Sequence, residues 1–276
     1  MTDKLLSFHP LISIITIVFN DILNIEKTIQ SVINQSYIYI EYIIIDGGST
    51  DGTVDIIKKY ENKISCWVSE PDKGIYDAMN KGIFKASGKW INFMNSGDSF
   101  CNNNVIEDCI QKIPDNKNHK IIYGNFIWKN GDAENFVIAK SSIKMHYTMP
   151  SCHQSFLIDT QLHKEIPYDT NYKIAADFDF LCKMKSKGIR FLKIPVTISV
   201  YQAGGLSENM DEIKGKEFND IFHKYNKFPQ NIWYQYVVSS KIFDSGWRAY
   251  YITTWIKCII GKNNYNKIAK QVKSKK

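Results

Sequence analysis

A chain of 276 residues with 44% hydrophobic side chains has ample material for a packed core, which excludes a disordered or low-complexity protein. Its six cysteines are scattered without a C-x-x-C pair, and with no secretory leader ahead of them reduced thiols are expected rather than a disulfide framework or a zinc site. The net charge of +7 is unevenly spread: thirteen Lys and Arg face three Asp and Glu between Lys214 and Lys276, so the body is mildly acidic and the tail strongly basic.

The first apolar run, ISIITIVF at 12–19, is continuous and β-branched, which predicts a strand buried on both faces rather than a signal peptide. A helix is expected from about Asn24 to Asn34, with Ile25, Ile29, Val32 and Ile33 at helical spacing. EYIIID then gives a second strand that breaks at Asp46-Gly47-Gly48, and DGTVDIIKKYE a helix with Asp51 as its cap. ISCWVSE reads as a third strand, YDAMNKGIFKAS as a third helix and KWINFMN as a fourth strand. This alternation is the βαβ rhythm of a parallel sheet.

The rhythm changes after residue 115. KIIYGNFIW, a KNGD turn and NFVIAK predict an antiparallel hairpin, and HQSFLID a further strand. AADFDFLCKMKSKG reads as a helix ended by Gly188, and RFLKIPVTISVYQ as an edge strand interrupted by Pro195. The tail is helical in pattern and rich in aromatic residues.

Open parallel sheets bind ligands beyond the carboxyl ends of their strands. Asn20, Asp46, Glu70 with Asp72, and Asp98 stand at the four expected ends. Any one of them alone reads more readily as a turn or a helix cap; four on one edge point to a site. No G-x-G-x-x-G follows the first strand and no G-x-x-x-x-G-K-[ST] occurs, which disfavours a dinucleotide-dependent dehydrogenase and a P-loop kinase. A nucleotide diphosphate is then better held through a divalent cation, for which Asp98 is a hard oxygen ligand suited to Mg2+ or Mn2+.

Three segments, SIITIVFN, IIIDGGSTDGT and SEPDKGIYDAMNKGIFKASGKWINFMNSGD, resemble the nucleotide-binding half of the family 2 glycosyltransferases over about residues 11–100. Within that family, DKGIYDAMNKG is similar to bacterial enzymes that build O-antigen and other surface polysaccharides. The resemblance implies the GT-A fold, a Rossmann-like, mostly parallel sheet flanked by helices, with a C-terminal helical appendage. Residues 1–115 would form the nucleotide-sugar half, 116–207 the acceptor half and 208–276 the basic, aromatic tail. By position, Phe19 and Asn20 would border the base and ribose, and Asp46 would hydrogen-bond the base with Ser49 close by. Asp72, Lys73 and the stretch from Asp77 through Asn80 to Lys81 would line the ribose and sugar. Asp98 would be the last carboxylate of the D-x-D motif that holds the metal. Asn95 stands where the family often has Asp, so metal binding leans more on the diphosphate.

The resemblance also makes Asp177 the general base, with Ala176 where the common Glu-Asp form has Glu. Direct inversion needs one carboxylate within reach of the incoming hydroxyl. Asp179, two residues on, would point away from Asp177 on a helix; on the residues alone, both are equally well explained as first-turn carboxylates favoured by the helix dipole. His153 and Gln154 are expected to contact the donor sugar or acceptor, and AGGLS at 203–207 fits either a closing loop or a plain turn.

In the tail, Phe243, Trp247, Tyr251, Trp255 and Ile259 recur every four residues, a stripe that fits packing on the core or lying in a membrane interface. No run reaches the ~20 apolar residues of a membrane span. The preferred expectation is peripheral attachment to anionic lipid at the cytoplasmic face of the plasma membrane, where a lipid-linked saccharide acceptor is presented. No nucleic-acid-binding pattern occurs. Together these readings predict an inverting, metal-dependent transferase using a nucleotide-diphosphate sugar, UDP first among the choices. A nucleotidyltransferase would need a Gly-rich basic loop that NDILNIEKT lacks, and a catalytically weak sugar-nucleotide-binding or scaffold subunit is the alternative that Asn95 and Ala176 keep open.

Overall fold

β-Branched side chains are stiff at Cβ and suit a pleated surface packed on both faces. In the computed structural model, which describes residues 9–114, 118–144, 148–205 and 210–225, β1 (Ile12–Val18) is accordingly buried along its whole length. β2 (Ile40–Asp46) and β4 (Trp90–Phe93) flank it in parallel, and β3 (Cys66–Ser69) extends the sheet beyond β2. The helices α1 (Ile25–Ile33), α2 (Thr53–Lys59) and α3 (Ile75–Lys85) are the crossovers. The four parallel strands run in the order β3-β2-β1-β4, so the sheet reverses its direction of growth between β1 and β4 and opens a crevice at their carboxyl ends.

The second half adds β5 (Ser99–Phe100), α4 (Val105–Gln111), β6 (Ile121–Asn130), β7 (Ala133–Val137), β8 (Phe156–Asp159), α5 (Thr160–Glu165), α6 (Ala176–Ser186), β9 (Phe191–Gln202) and α7 (Asp211–Tyr225). Its strands continue the same sheet as β4-β8-β6-β9-β5, with β7 hairpinned onto β6 as expected. Among the described residues of this half, β6 and β9 pair in parallel and the other pairs are antiparallel.

Three expectations are corrected. β9 is not an edge strand but lies between β6 and β5. It tolerates Pro195 because its pairing with β6 shifts register between Tyr123 and Asn125, while β5 reaches only Ser199 and Val200. HQSFLID divides into a 3-10 turn at His153–Ser155 and the strand β8. The N-cap of α2 is Gly52, at φ 100°, with Asp51 one residue earlier accepting the Thr53 N–H at 3.0 Å and its hydroxyl at 2.6 Å.

The side-chain alternation of β1 sends Ile15 and Ile17 to one face of the sheet and Ile12 and Ile14 to the other. The first face packs on Met79 and Ile83 of α3 and on Phe180, Leu181 and Met184 of α6. The second packs on Ile25, Ile29 and Val32 of α1, Ile57 of α2 and Val105 and Ile106 of α4. α3 sits so close to β1 that a Cβ at Gly82 would lie 2.5 Å from Ile15 Cγ2. α7 joins this body through a third cluster, in which Ile221 packs with Ala175, Phe178 and Cys182. The expected aromatic stripe at 243–259 and part of the AGGLS segment lie outside the described residues. Among the described residues no helix is long and apolar enough to cross a membrane.

Candidate active site

The residues expected at the strand ends gather along the crevice between β1 and β4 and its flank toward β3. After β1, Asn20 adopts φ 47°, a left-handed conformation that asparagine tolerates better than most residues. Its N–H donates to Ser49 Oγ at 2.7 Å and its Oδ1 accepts the Thr50 N–H at 2.9 Å, which ties the end of β1 to the loop after β2. Asp46 is fully buried beneath that loop. Its Oδ2 accepts Gly48 N–H at 3.1 Å, Ser49 N–H at 2.9 Å and the Ser69 hydroxyl at 2.6 Å, and its Oδ1 accepts the Ser49 hydroxyl. Phe19 is 64% exposed, and its ring and the Asp72 carboxylate both border Gly47, where a Cβ would meet them at 3.1 to 3.4 Å, a tight fit.

Lys81 organises the flank beyond β3. Its ammonium lies 2.6 Å from Asp72, 2.9 Å from Glu70 and 3.9 Å from Asp77. Burial pushes the Asp72 carboxyl up while Lys81 pulls it down, and the hydrogen bond to Asp72 holds Lys81 above the ordinary lysine range. Asp77 accepts the exposed Lys73's N–H at 3.0 Å, closing the first turn of α3. Asn80 spends both ends of its amide on the backbone of Tyr168, donating to its carbonyl and accepting its N–H at 2.9 Å each.

The chain after β4 makes a turn in which Asp98 N–H donates to Asn95 carbonyl at 3.0 Å and Gly97 supplies the required positive φ of 93°. This turn hands Asp98, only 6% exposed, into the crevice. Its Oδ1 accepts Gln202 N–H at 2.8 Å and its Oδ2 accepts the Gln154 amide; burial pushes the carboxyl up to about 7 against these bonds. The buried side-chain oxygens of Asn95 and Gln154 have no hydrogen-bond partner. Among the described residues no three His, Cys, Asp or Glu side chains gather as a metal site. One carboxylate with neutral amide oxygens nearby is a hard-oxygen set that fits Mg2+ or Mn2+ when a diphosphate supplies further ligands.

His153 and Gln154 bridge this turn to the other wall. Gln154 reaches Asp98, while His153 Nε2 lies at hydrogen-bond distance, 3.0 Å, from the Asn95 amide. Nδ1 faces Asp177 Oδ2 at 3.8 Å, an electrostatic contact too long for a direct hydrogen bond. Burial holds the imidazole below its ordinary value, and the Asp177 charge opposes that shift. Asp177 stands in the first turn of α6 with its side chain 17% exposed. Its Oδ1 accepts Phe178 N–H at 2.8 Å and lies 3.1 Å from the Tyr76 hydroxyl, whose single proton it shares with the Ile174 carbonyl at 2.7 Å. Burial, reinforced by the Asp177 charge, raises the Tyr76 phenol, so it stays a donor. Asp179 points the other way, as expected, to Lys224 at 2.7 Å and the Tyr225 hydroxyl at 3.1 Å.

Sequence reasoning passed over Tyr76, Gln202 and Glu217. Tyr76 lies inside the DKGIYDAMNKG segment and was readable there. Gln202 and Glu217 act through contacts over more than forty residues and carried no local signal.

The model of "Glycosyl transferase family 2" matches residues 13–175. An uncharacterized glycosyltransferase of Mycobacterium tuberculosis is 43% identical over 105 residues, which are 38% of this chain and only 40% of that relative's length. A PGL/p-HBAD biosynthesis glycosyltransferase of Mycobacterium bovis is 28% identical over 223 residues, covering 76% of this chain and 82% of its own. Among solved structures, S. aureus TarS in complex with UDP-GlcNAc superposes with TM-score 0.59 at 16% identity over 90% of this chain and 79% of that one. The mannosyltransferase PcManGT from Pyrobaculum calidifontis, in complex with GDP-Man and Mn2+, gives 0.65 at 12% identity over 97% and 81%. At these identities the two structures share the GT-A fold, and the matched family model settles the lineage: the chain belongs to the family 2 glycosyltransferases.

Proposed function

We propose that this protein transfers a sugar from a nucleotide-diphosphate donor, UDP-linked in the first instance, to a lipid-linked saccharide acceptor during assembly of a bacterial surface polysaccharide such as O-antigen or capsule, with inversion at the anomeric carbon. The observation that carries the reading is the adjacent pair His153-Gln154, which ties Asp98 on the donor side to Asp177 on the acceptor side. Asp177 has one oxygen engaged by Tyr76 and Phe178 and keeps Oδ2 for the incoming hydroxyl. That oxygen takes the acceptor's proton as its oxygen bonds to the anomeric carbon; the bond from that carbon to the diphosphate breaks and the nucleoside diphosphate leaves with the electron pair.

Mn2+ or Mg2+, held by Asp98 with Asn95 beside it, would neutralise charge on the departing diphosphate. In this reading Phe19, Asn20, Asp46, Ser49, Asp72 and Lys73 shape the nucleotide side, and Asp77, Asn80, Lys81, His153 and Gln154 the sugar and acceptor side. TarS, solved with UDP-GlcNAc, supports the choice of donor class, and PcManGT, solved with GDP-Man and Mn2+, the choice of metal. The excess of basic residues beyond Lys214 supports attachment at the inner membrane face, where such an acceptor would be met.

The test is nucleotide release from a panel of UDP-, GDP- and TDP-sugars with Mn2+ or EDTA, with a lipid-linked acceptor supplied, comparing wild type with Asp98→Ala and Asp177→Asn. One donor released only with metal, and by neither variant, is the expected result. Turnover that survives EDTA would remove the metal, and silence with every donor and acceptor would favour a binding or scaffold subunit.

A further inference from the structure

The segment Lys173-Ile174-Ala175 leads directly into the helix that carries Asp177, and a carboxylate from another helix holds it. Glu217 of α7 accepts three successive backbone N–H groups, that of Lys173 on Oε1 at 2.7 Å and those of Ile174 and Ala175 on Oε2 at 2.9 and 3.0 Å. Successive N–H groups converging on one anion form a nest, and bonds to an ionised acceptor are about twice as strong as neutral ones. Ile174 is gripped from both sides, because its carbonyl accepts the Tyr76 hydroxyl at 2.7 Å, the same hydroxyl that approaches Asp177 Oδ1.

The rest of α7 keeps that carboxylate in place. Phe218 stacks on Phe178 with ring centroids 4.4 Å apart and planes within 10°. Lys224 and Tyr225 converge on Asp179, and Ile221 is fully buried against α6. The two residues that follow Asp177 in the first turn of α6, Phe178 and Asp179, are thus used to seat α7, while the nest sets where that turn begins.

We infer that Glu217 is a positioning residue for transfer: it fixes the approach to α6 and thereby the place of the Asp177 carboxylate. This rests on the reading of Asp177 as the base. Displacing a catalytic group by a fraction of an ångström to 1 Å lowers turnover by about 10- to 100-fold without weakening ligand binding elsewhere. The full-length protein is compared as wild type, Glu217→Ala, Glu217→Gln and Asp177→Asn. The readings are steady-state kcat, the Kd for UDP with Mn2+ and the melting temperature.

Glu217→Ala is expected to lower kcat by about tenfold or more while the Kd for UDP stays within about twofold. Glu217→Gln, whose one oxygen can still take the Ile174 and Ala175 N–H groups while its amide faces the Lys173 N–H, is expected to recover part of the turnover that alanine loses. Should the alanine variant lose stability, the glutamine variant and the ratio of kcat to Kd still decide. Unchanged kcat in Glu217→Ala, or a parallel loss of UDP affinity that glutamine does not rescue, would overturn the proposal while leaving Asp177 as the base. Transfer by Asp177→Asn at the wild-type rate would remove the base reading and this proposal together.

Discussion

Asp46 and Asp177 are both carboxylates at the end of a secondary-structure element, on opposite walls of one cleft, and they are placed by opposite means. Asp46 is fully buried, and its four donors are two backbone N–H groups and a hydroxyl within three residues of it plus Ser69 on the neighbouring strand. Asp177 keeps part of its surface and one free oxygen, and its anchor, Tyr76, is 101 residues away. A saturated carboxylate shapes a loop and has no lone pair left for a moving proton. A partly satisfied one at the surface of a cleft can accept one. In the proposed reading, the Asp46 side of the nucleotide wall is thus built from its own loop and the neighbouring strand, the acceptor wall by docking distant pieces.

The sharpest way to break this comparison is Asp177→Asn. The asparagine oxygen still accepts Phe178 N–H, so the fold should hold, while loss of the proposed base is expected to lower turnover by about 10²- to 10⁴-fold. Kinetics beside a thermal melt check it. A melting temperature that falls in step with activity would make Asp177 a structural residue like Asp46.

The converse change, Asp46→Asn, puts an amide N–H against groups that are themselves donors and leaves at least one of them unpaired. A loss of about 3 kcal/mol is expected, on the order of 6–12 °C in melting temperature for a domain of this size. Differential scanning calorimetry measures it. A variant that melts within a degree or two of wild type would mean the loop after β2 is held by something else.

The same contrast explains what could be read from the chain. β1 to β4 were legible because each is a short apolar run whose burial is decided by its own residues, and Asp177 and Asp179 were separable because helical spacing alone turns them apart. β9 was misread because its outer neighbour, β5, is two residues long and lies about a hundred residues earlier, so Pro195 looked like a mark of an edge. Asn80 sits in the motif-bearing helix, yet its amide serves Tyr168, a pairing that only the folded contact between α3 and residue 168 creates. The nest around Glu217 was illegible for the same reason: a glutamate in a helix of mixed charge carries no local sign of its partners.

Beneath the acceptor wall lies a residue that tests how dry that wall is. His163 is fully buried among the rings of Phe93, Tyr168 and Phe180, and neither ring nitrogen has a hydrogen-bond partner. Burial lowers its pKa from 6.5 to about 3. The unfolded chain therefore binds a proton below pH 6.5 that the folded one refuses. The stabilisation from keeping this ring neutral is full above that pH and is lost as pH falls toward 3. At pH 5 the loss is on the order of 2 kcal/mol. His163→Leu should flatten the decline in melting temperature between pH 7 and 4 and change little at pH 7.5. An unchanged pH profile would show that water reaches the ring and that the wall is looser than its packing indicates.

The smallest effect is expected at Lys81, on the nucleotide wall, and it separates binding from chemistry. Its three carboxylate neighbours, Glu70, Asp72 and Asp77, are at least partly open to solvent, with Asp72 the least so. Ion pairs in such settings contribute about 1 kcal/mol or less. Lys81→Met should cost about that much stability and leave Asp72 facing two like charges without a cation. If Asp72 and its neighbours only shape the nucleotide side, the donor KM rises by about three- to tenfold and kcat is unchanged, the pattern of an interaction made equally in ground and transition states. A fall in kcat at constant KM would instead place Lys81 against charge that develops during transfer. The nucleotide wall would then share in the chemistry that the free oxygen of Asp177 assigns to the other side.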